Sequence, residues 1–161
     1  MEFIGRSAEL QKLQNQVRTN NFSFSLIYGR RRVGKSELVH QLLKTTEVKS
    51  IYFECKQVAE ANNAKSLGEI VSECLGLPQL GYTDMESLLK YLFRYAENEN
   101  LVLVLDEYPY VRENVKGMDR ILQVLIDRYH DTSMLKLVLC GSYVDVMKSL
   151  LLSENPLYGR I

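Results

Sequence analysis

No uninterrupted aliphatic run in this sequence exceeds the five residues Leu101–Leu105, far short of a membrane span. The Met1-Glu2-Phe3 start lacks a basic and then apolar leader, so no secretory signal is expected and the cytoplasm is the expected compartment. Cysteines are few and odd in number: Cys55, Cys74 and Cys140 are widely spaced, with no CxxC pair. That pattern excludes a disulfide framework and reads as free thiols in a reducing compartment. The only histidines, His40 and His130, fall in helical patterns away from any cysteine, so a zinc site is not expected. Charge of one sign is also missing. Twenty Lys plus Arg offset twenty Asp plus Glu, which argues against a general polyanion binder while leaving room for a local basic patch.

What is present is a globular composition, 46% apolar and 25% charged over 161 residues, enough for one domain. Strand-like and helix-like segments alternate. Leu10, Leu13 and Val17 recur at helical spacing after Ser7, and Phe22–Tyr28 reads as a strand ending at Gly29. Leu38, Val39, Leu42 and Leu43 mark a second helix, Ser50–Cys55 a second strand, and Leu67 to Leu75 a helix stopped by Gly76 and Pro78. Thr83 and Glu86 fit a capping box opening a helix through Tyr95. Leu101–Leu105 is an all-apolar strand of the kind covered on both faces. Ile121 to Tyr129 is a helix, Leu135–Cys140 a strand, and a last helix runs from about Ser142 towards Leu152. Strands separated by helices predict right-handed crossovers and a mostly parallel, three-layer α/β sheet.

Gly29-Arg30-Arg31-Arg32-Val33-Gly34-Lys35-Ser36 matches GxxxxGK[ST] between a strand and a helix. A triphosphate needs several backbone N–H donors converging on it, and glycines let the backbone come close enough. Gly34, Lys35 and Ser36, with Glu37 behind them, enter a helix whose positive dipole end faces the phosphates. Lys35 can reach the β- and γ-phosphates, and the Ser36 hydroxyl can ligate Mg2+. The alternative is a turn that happens to carry these letters. For Arg30, Arg31 and Arg32 the alternatives are solvated loop charge or contact with phosphate or a partner.

Leu101–Leu105 delivers Asp106 and Glu107 at the strand's carboxyl end, where ligand sites of open α/β sheets lie. An Asp there can hold Mg2+ through its water shell beside Ser36, and the adjacent Glu can deprotonate an attacking water. Two solvated acids in a loop is the alternative. Gly141-Ser142 ends the last strand; the Ser142 hydroxyl can sit between that water and the γ-phosphate, or open the following helix through Ser142 and Asp145, or do both.

Taken together, FIGRSAELQKL, IYGRRRVGKSEL, LVLVLDEYPYV, KLVLCGSYVDVM and PLYGR resemble the archaeal-type P-loop ATPases, a group close to AAA+ and STAND proteins. The resemblance implies an ATP-binding, Mg2+-dependent ATPase core with RecA/AAA+-like topology, in which Leu101–Leu105 lies beside Leu135–Cys140 and the latter beside Phe22–Tyr28. It places Phe3, Ile4, Gly5 and Arg6 against adenine, or else Phe3 and Ile4 in packing at the sheet edge. It makes Arg160 an arginine near a nucleotide, in this or a neighbouring subunit. Related proteins continue into a fifth strand, a helical lid and further domains, so the chain is expected to be a truncated core. An exposed edge on the Phe22–Tyr28 strand would then invite self-association. ATP and ADP are the expected small-molecule partners, with DNA contact only through regions outside this chain. A nucleotide-gated interaction module is the alternative to an ATPase. A small-molecule kinase would need an acceptor pocket, which no charged cluster suggests.

Overall fold

The computed structural model describes residues 2–3, 7–29 and 35–161. Five strands form one sheet: β1 (Glu2–Phe3), β2 (Ser23–Tyr28), β3 (Lys49–Glu54), β4 (Leu101–Asp106) and β5 (Leu135–Gly141). Their order is β1-β2-β5-β4-β3, and every described pairing is parallel. The sheet is three-layered, as the alternation predicts. The chain leaves β2 for the far edge at β3 and returns through β4 to β5, which settles between β2 and β4.

Two helices cover one face: α1 (Ser7–Val17) and α2 (Lys35–Thr45). Leu13, Val17, Leu38, Val39 and Leu42 pack there against Ile27, Val102, Val104, Val138 and Cys140. The opposite face is larger. It carries α3 (Glu60–Leu75), α4 (Met85–Tyr95), α5 (Tyr108–Asn114), α6 (Met118–Tyr129) and α7 (Val144–Ser149). The period-2 set Leu101, Leu103, Leu105, Leu135, Leu137 and Leu139 meets them with side chains essentially inaccessible to water. Both faces of β4 and β5 are buried, which accounts for their predominantly apolar sequences, Lys136 and the terminal Asp106 aside. Among the described residues no helix is long and apolar enough to cross a membrane.

Several boundaries differ from the sequence expectation. The helix after Thr83 is capped by Asp84, whose side chain accepts from Ser87 N at 2.8 Å, so the cap lies one residue later than the Thr83–Glu86 box. The end of α3 agrees with expectation: Gly76 stops it with φ 65°, the left-handed conformation that favours glycine. Helix α5 was not anticipated. Pro109 in its first turn tolerates a helix start, and Tyr108, Val111 and Val115 at helical spacing bury its inner face. Helix α7 is shorter than expected, with turns over 150–160, and its N-cap is Tyr143 without a side-chain bond; Ser142 does not cap it. The edge of β2 is not left bare either: β1 pairs there, Glu2 with Leu26 and Phe3 with Ile27.

Lys136, inside β5, is only 1% exposed; its Nζ donates to Asn100 Oδ1 at 3.0 Å and to Met134 O at 2.7 Å, and no described acid pairs with it. Burial pushes its ammonium down to about 8. Above the ordinary lysine value both states are neutral. As pH falls towards 8 the unfolded chain takes up the proton first, so stability declines over that window. The difference of roughly 2.5 pH units corresponds to about 3 kcal/mol. Against a Lys136→Met variant, wild-type unfolding free energy should therefore rise by that order between pH 8 and 10.5. A pH-independent difference in denaturant titrations would contradict it.

Candidate functional site

The carboxyl ends of β2, β4 and β5 and the amino end of α2 meet at the point where strand order reverses, the usual ligand crevice of such sheets. Lys35 is the first residue of α2 and is buried. Its Nζ donates to Asp106 Oδ1 at 3.0 Å and to Glu107 Oε1 at 3.3 Å. Burial alone would lower its pKa; the charge and hydrogen bond of Asp106, helped by the charge of Glu107, outweigh that and hold it above the ordinary lysine value. Lys35 is a cation throughout the physiological range.

Asp106 closes β4, and its Oδ1 also accepts from Glu107 N at 2.8 Å. Glu107 has φ 52° and ψ 46°, the sole non-glycine residue with positive φ among the described residues. Such a conformation costs a glutamate about 1–2 kcal/mol. It aims the carboxylate across the crevice, where Oε1 accepts from Ser142 N and Oε2 from Ser142 Oγ, both at 3.0 Å. Gly141, just before Ser142, lets α5 and α7 pack closely over the strand end: a Cβ there would meet Met147 Sδ at 2.7 Å and Pro109 Cδ at 3.1 Å. Lys35, Asp106, Glu107 and Ser142 thus form one connected cluster drawn from three distant stretches of chain.

One member of the cluster was missed in the sequence. Tyr52, on β3, donates its hydroxyl to Asp106 Oδ2. Burial and that bond push its phenol well above the usual tyrosine range. Its position inside a strand, where an aromatic reads as packing, conceals it; the alignment of Tyr52 with Val104, two residues before Asp106, is visible only once β3 and β4 are paired. Cys55 and Cys140 are buried, and burial together with Asp106 pushes both thiols up, which leaves them unreactive.

Other residues singled out in the sequence lie elsewhere or outside the described residues. Ile4, Gly5, Arg6, Arg30, Arg31, Arg32, Val33 and Gly34 fall outside them. Gly29 follows β2, its N–H donating to Gly141 O at 3.4 Å. Ser36 and Glu37 are exposed on the first turn of α2, and Glu37 accepts from Gln41 Nε2. Arg160 does not join the cluster in this chain. It forms a two-point pair with Asp127 of α6, Nε to Oδ1 at 2.7 Å and Nη2 to Oδ2 at 2.8 Å. The Ser36 hydroxyl and Asp106 carboxylate are hard oxygen donors, a set that fits Mg2+ held largely by water and substrate phosphates. Among the described residues no group of three or more His, Cys, Asp or Glu could form an all-protein cage.

Residues 3–161 match the family described as an ATPase domain found predominantly in Archaea. The chain belongs to that family. This archaeal ATPase domain is 29% identical over 159 residues to an uncharacterised protein of Methanocaldococcus jannaschii, covering 98% of the chain but 34% of that protein. An uncharacterised ATP-binding protein of the same organism is 34% identical over 53 residues, 33% of the chain and 90% of that protein. Among solved structures, the Walker-type ATPase PABY2304 of Pyrococcus abyssi superposes with a TM-score of 0.69 at 23% identity, over 99% of this chain and 52% of that one. The ORC2 protein of Aeropyrum pernix, solved as ADPNP–ADP complexes, gives 0.60 at 17% identity, over 91% of this chain and 43% of that one. The archaeal ATPase domain therefore has the P-loop NTPase fold that its sequence led one to expect, and it spans about a third to a half of the length of these longer relatives.

Proposed function

We propose that the domain binds ATP and hydrolyses it with Mg2+. The observation that carries this reading is the convergence of Lys35, the lysine of the GxxxxGK[ST] sequence, with Asp106, Glu107 and Ser142 at the carboxyl end of a parallel sheet. The ATP-binding relative and the ADPNP–ADP complexes of the ORC2 protein support the choice of nucleotide.

In this reading Gly29, Arg32, Val33, Gly34, Lys35, Ser36 and Glu37 cradle the phosphates, and Ile4, Gly5 and Arg6 flank the base. Lys35 exchanges its carboxylate partners for the β- and γ-phosphates. Glu107 takes a proton from water as the water oxygen bonds to the γ-phosphorus and the bond to the ADP oxygen breaks. Ser142, already on Glu107, holds the base and meets the γ-phosphate. Ser36 and Asp106 would hold Mg2+, which would neutralise developing phosphate charge. Arg160 would act on a nucleotide of a neighbouring subunit, on leaving Asp127.

One observation favours a second reading. Both Glu107 oxygens are occupied, by Lys35 and Ser142. A base so engaged turns over slowly unless something frees it, which suits a nucleotide-gated interaction module. Phosphate release from ATP by the purified chain, with Mg2+ and with EDTA, separates the two. Mg2+-dependent release is expected; ATP binding without release would select the gated module.

A further inference from the structure

Among the described residues, Asp106 Oδ2 is the site's one carboxylate oxygen that neither Lys35 nor Ser142 engages, and Tyr52 holds it. Resting on the reading of Asp106 as the acid on the metal side, we infer that Tyr52 is a positioning residue that fixes the Asp106 carboxylate for a divalent cation.

Two contacts meet at this side chain. Its hydroxyl donates to Asp106, and its ring faces His40 of α2, with centroids 6.4 Å apart and planes 27° from parallel. His40 lies four residues after Ser36, hence on the same face of α2 one turn further on. The proposed metal donors come from different elements, Ser36 from a helix start and Asp106 from a strand end. Tyr52 bridges them from a third element, β3, so the separation of hydroxyl and carboxylate is set by a packed aromatic contact rather than by loop geometry alone. Without the phenol, the carboxylate could turn both oxygens towards Lys35, the strongest remaining donor, and present a poorer face to a hydrated cation. A tyrosine needed only for packing would have no use for a hydroxyl here; one needed only to satisfy that hydroxyl would not affect cation binding.

The test is Tyr52→Phe, read by thermal unfolding rather than by turnover. Stabilisation by a fixed ADP concentration is measured in EDTA and across a Mg2+ titration for wild type, Tyr52→Phe and Asp106→Asn. Tyr52→Phe should raise the Mg2+ midpoint about tenfold while leaving the ADP shift in EDTA unchanged, with Asp106→Asn moving the midpoint at least as far. A midpoint that moves with Asp106→Asn and not with Tyr52→Phe overturns the inference, even if Tyr52→Phe lowers the melting temperature of the free protein. A midpoint unmoved by Asp106→Asn overturns the metal reading of Asp106, and absence of any ADP stabilisation in wild type overturns the nucleotide reading; the inference fails with either. Should Tyr52→Phe not fold, His40→Ala, at an exposed position, removes the ring contact alone. An upward shift of its midpoint then supports the inference, and an unmoved midpoint overturns it.

Discussion

Glu107→Gln is expected to slow ATP hydrolysis by about a hundredfold or more while nucleotide binding persists, the scale of a lost general base. A glutamine amide cannot take the proton from water, yet it keeps the size of the side chain and one oxygen acceptor for Ser142 N. Its nitrogen can face Ser142 Oγ as a donor, so the bridge between β4 and β5 survives. The left-handed backbone at residue 107 is unchanged by the substitution, because φ 52° is set by the turn from β4 into α5. Lys35 retains Asp106 at 3.0 Å, and its 3.3 Å contact, made to the same Oε1 that accepts from Ser142 N, passes to a neutral amide oxygen. Loss of turnover with retained ATP-induced stabilisation would thus isolate proton transfer. Hydrolysis at the wild-type rate in this variant would remove Glu107 from the role of base.

Lys35→Ala should abolish stabilisation by nucleotide. At a hundredfold excess over Kd, binding adds about 2.7 kcal/mol to the unfolding free energy. For a domain of this size that is a rise of roughly 5–11 °C with Mg·ATP or Mg·ADP. Removing Lys35 deletes the phosphate contact and also leaves two carboxylates adjacent in a pocket where their side chains are 10% and 13% exposed. The nucleotide-free variant should itself lose on the order of 3 kcal/mol, as when one partner of a buried pair is deleted. The measurement is therefore the nucleotide-induced shift within each protein, compared in differential scanning fluorimetry. A full shift in Lys35→Ala would mean that nucleotide binds elsewhere.

These two effects fall on residues legible without coordinates. GxxxxGK[ST] is specific in its spacing, and Asp106-Glu107 follow a run of five apolar residues that can only be a doubly covered strand. Tyr52 and α5 were not legible, for different reasons. Tyr52 works across a strand pairing, which no local pattern encodes. Helix α5 begins immediately after the acids and contains Pro109, so its start resembles a loop; only Tyr108, Val111 and Val115 betray its inner face.

Ser142 shows where a local signal points both ways. Its spacing to Asp145 suits a helix cap and its position after β5 suits a contact with the site; the coordinates give it to Glu107 and leave Tyr143 at the cap. The buried Lys136 is a similar case. In sequence it reads as a polar interruption of an apolar strand; one partner, Met134 O, is two residues away, while the other, Asn100, comes from the residue before β4.

By itself the sequence determined the elements other than α5, the parallel layered class, the family and four members of the cluster, Lys35, Asp106, Glu107 and Ser142, because hydrophobic period, turn residues and motif spacing are local and each imposes its own geometry. Only the tertiary structure decided which oxygens of Asp106 and Glu107 are engaged and by whom, that Arg160 pairs with Asp127, and that β1 flanks β2. Those outcomes depend on distances between segments up to 72 residues apart, which are set by sheet order and core packing rather than by any stretch of chain.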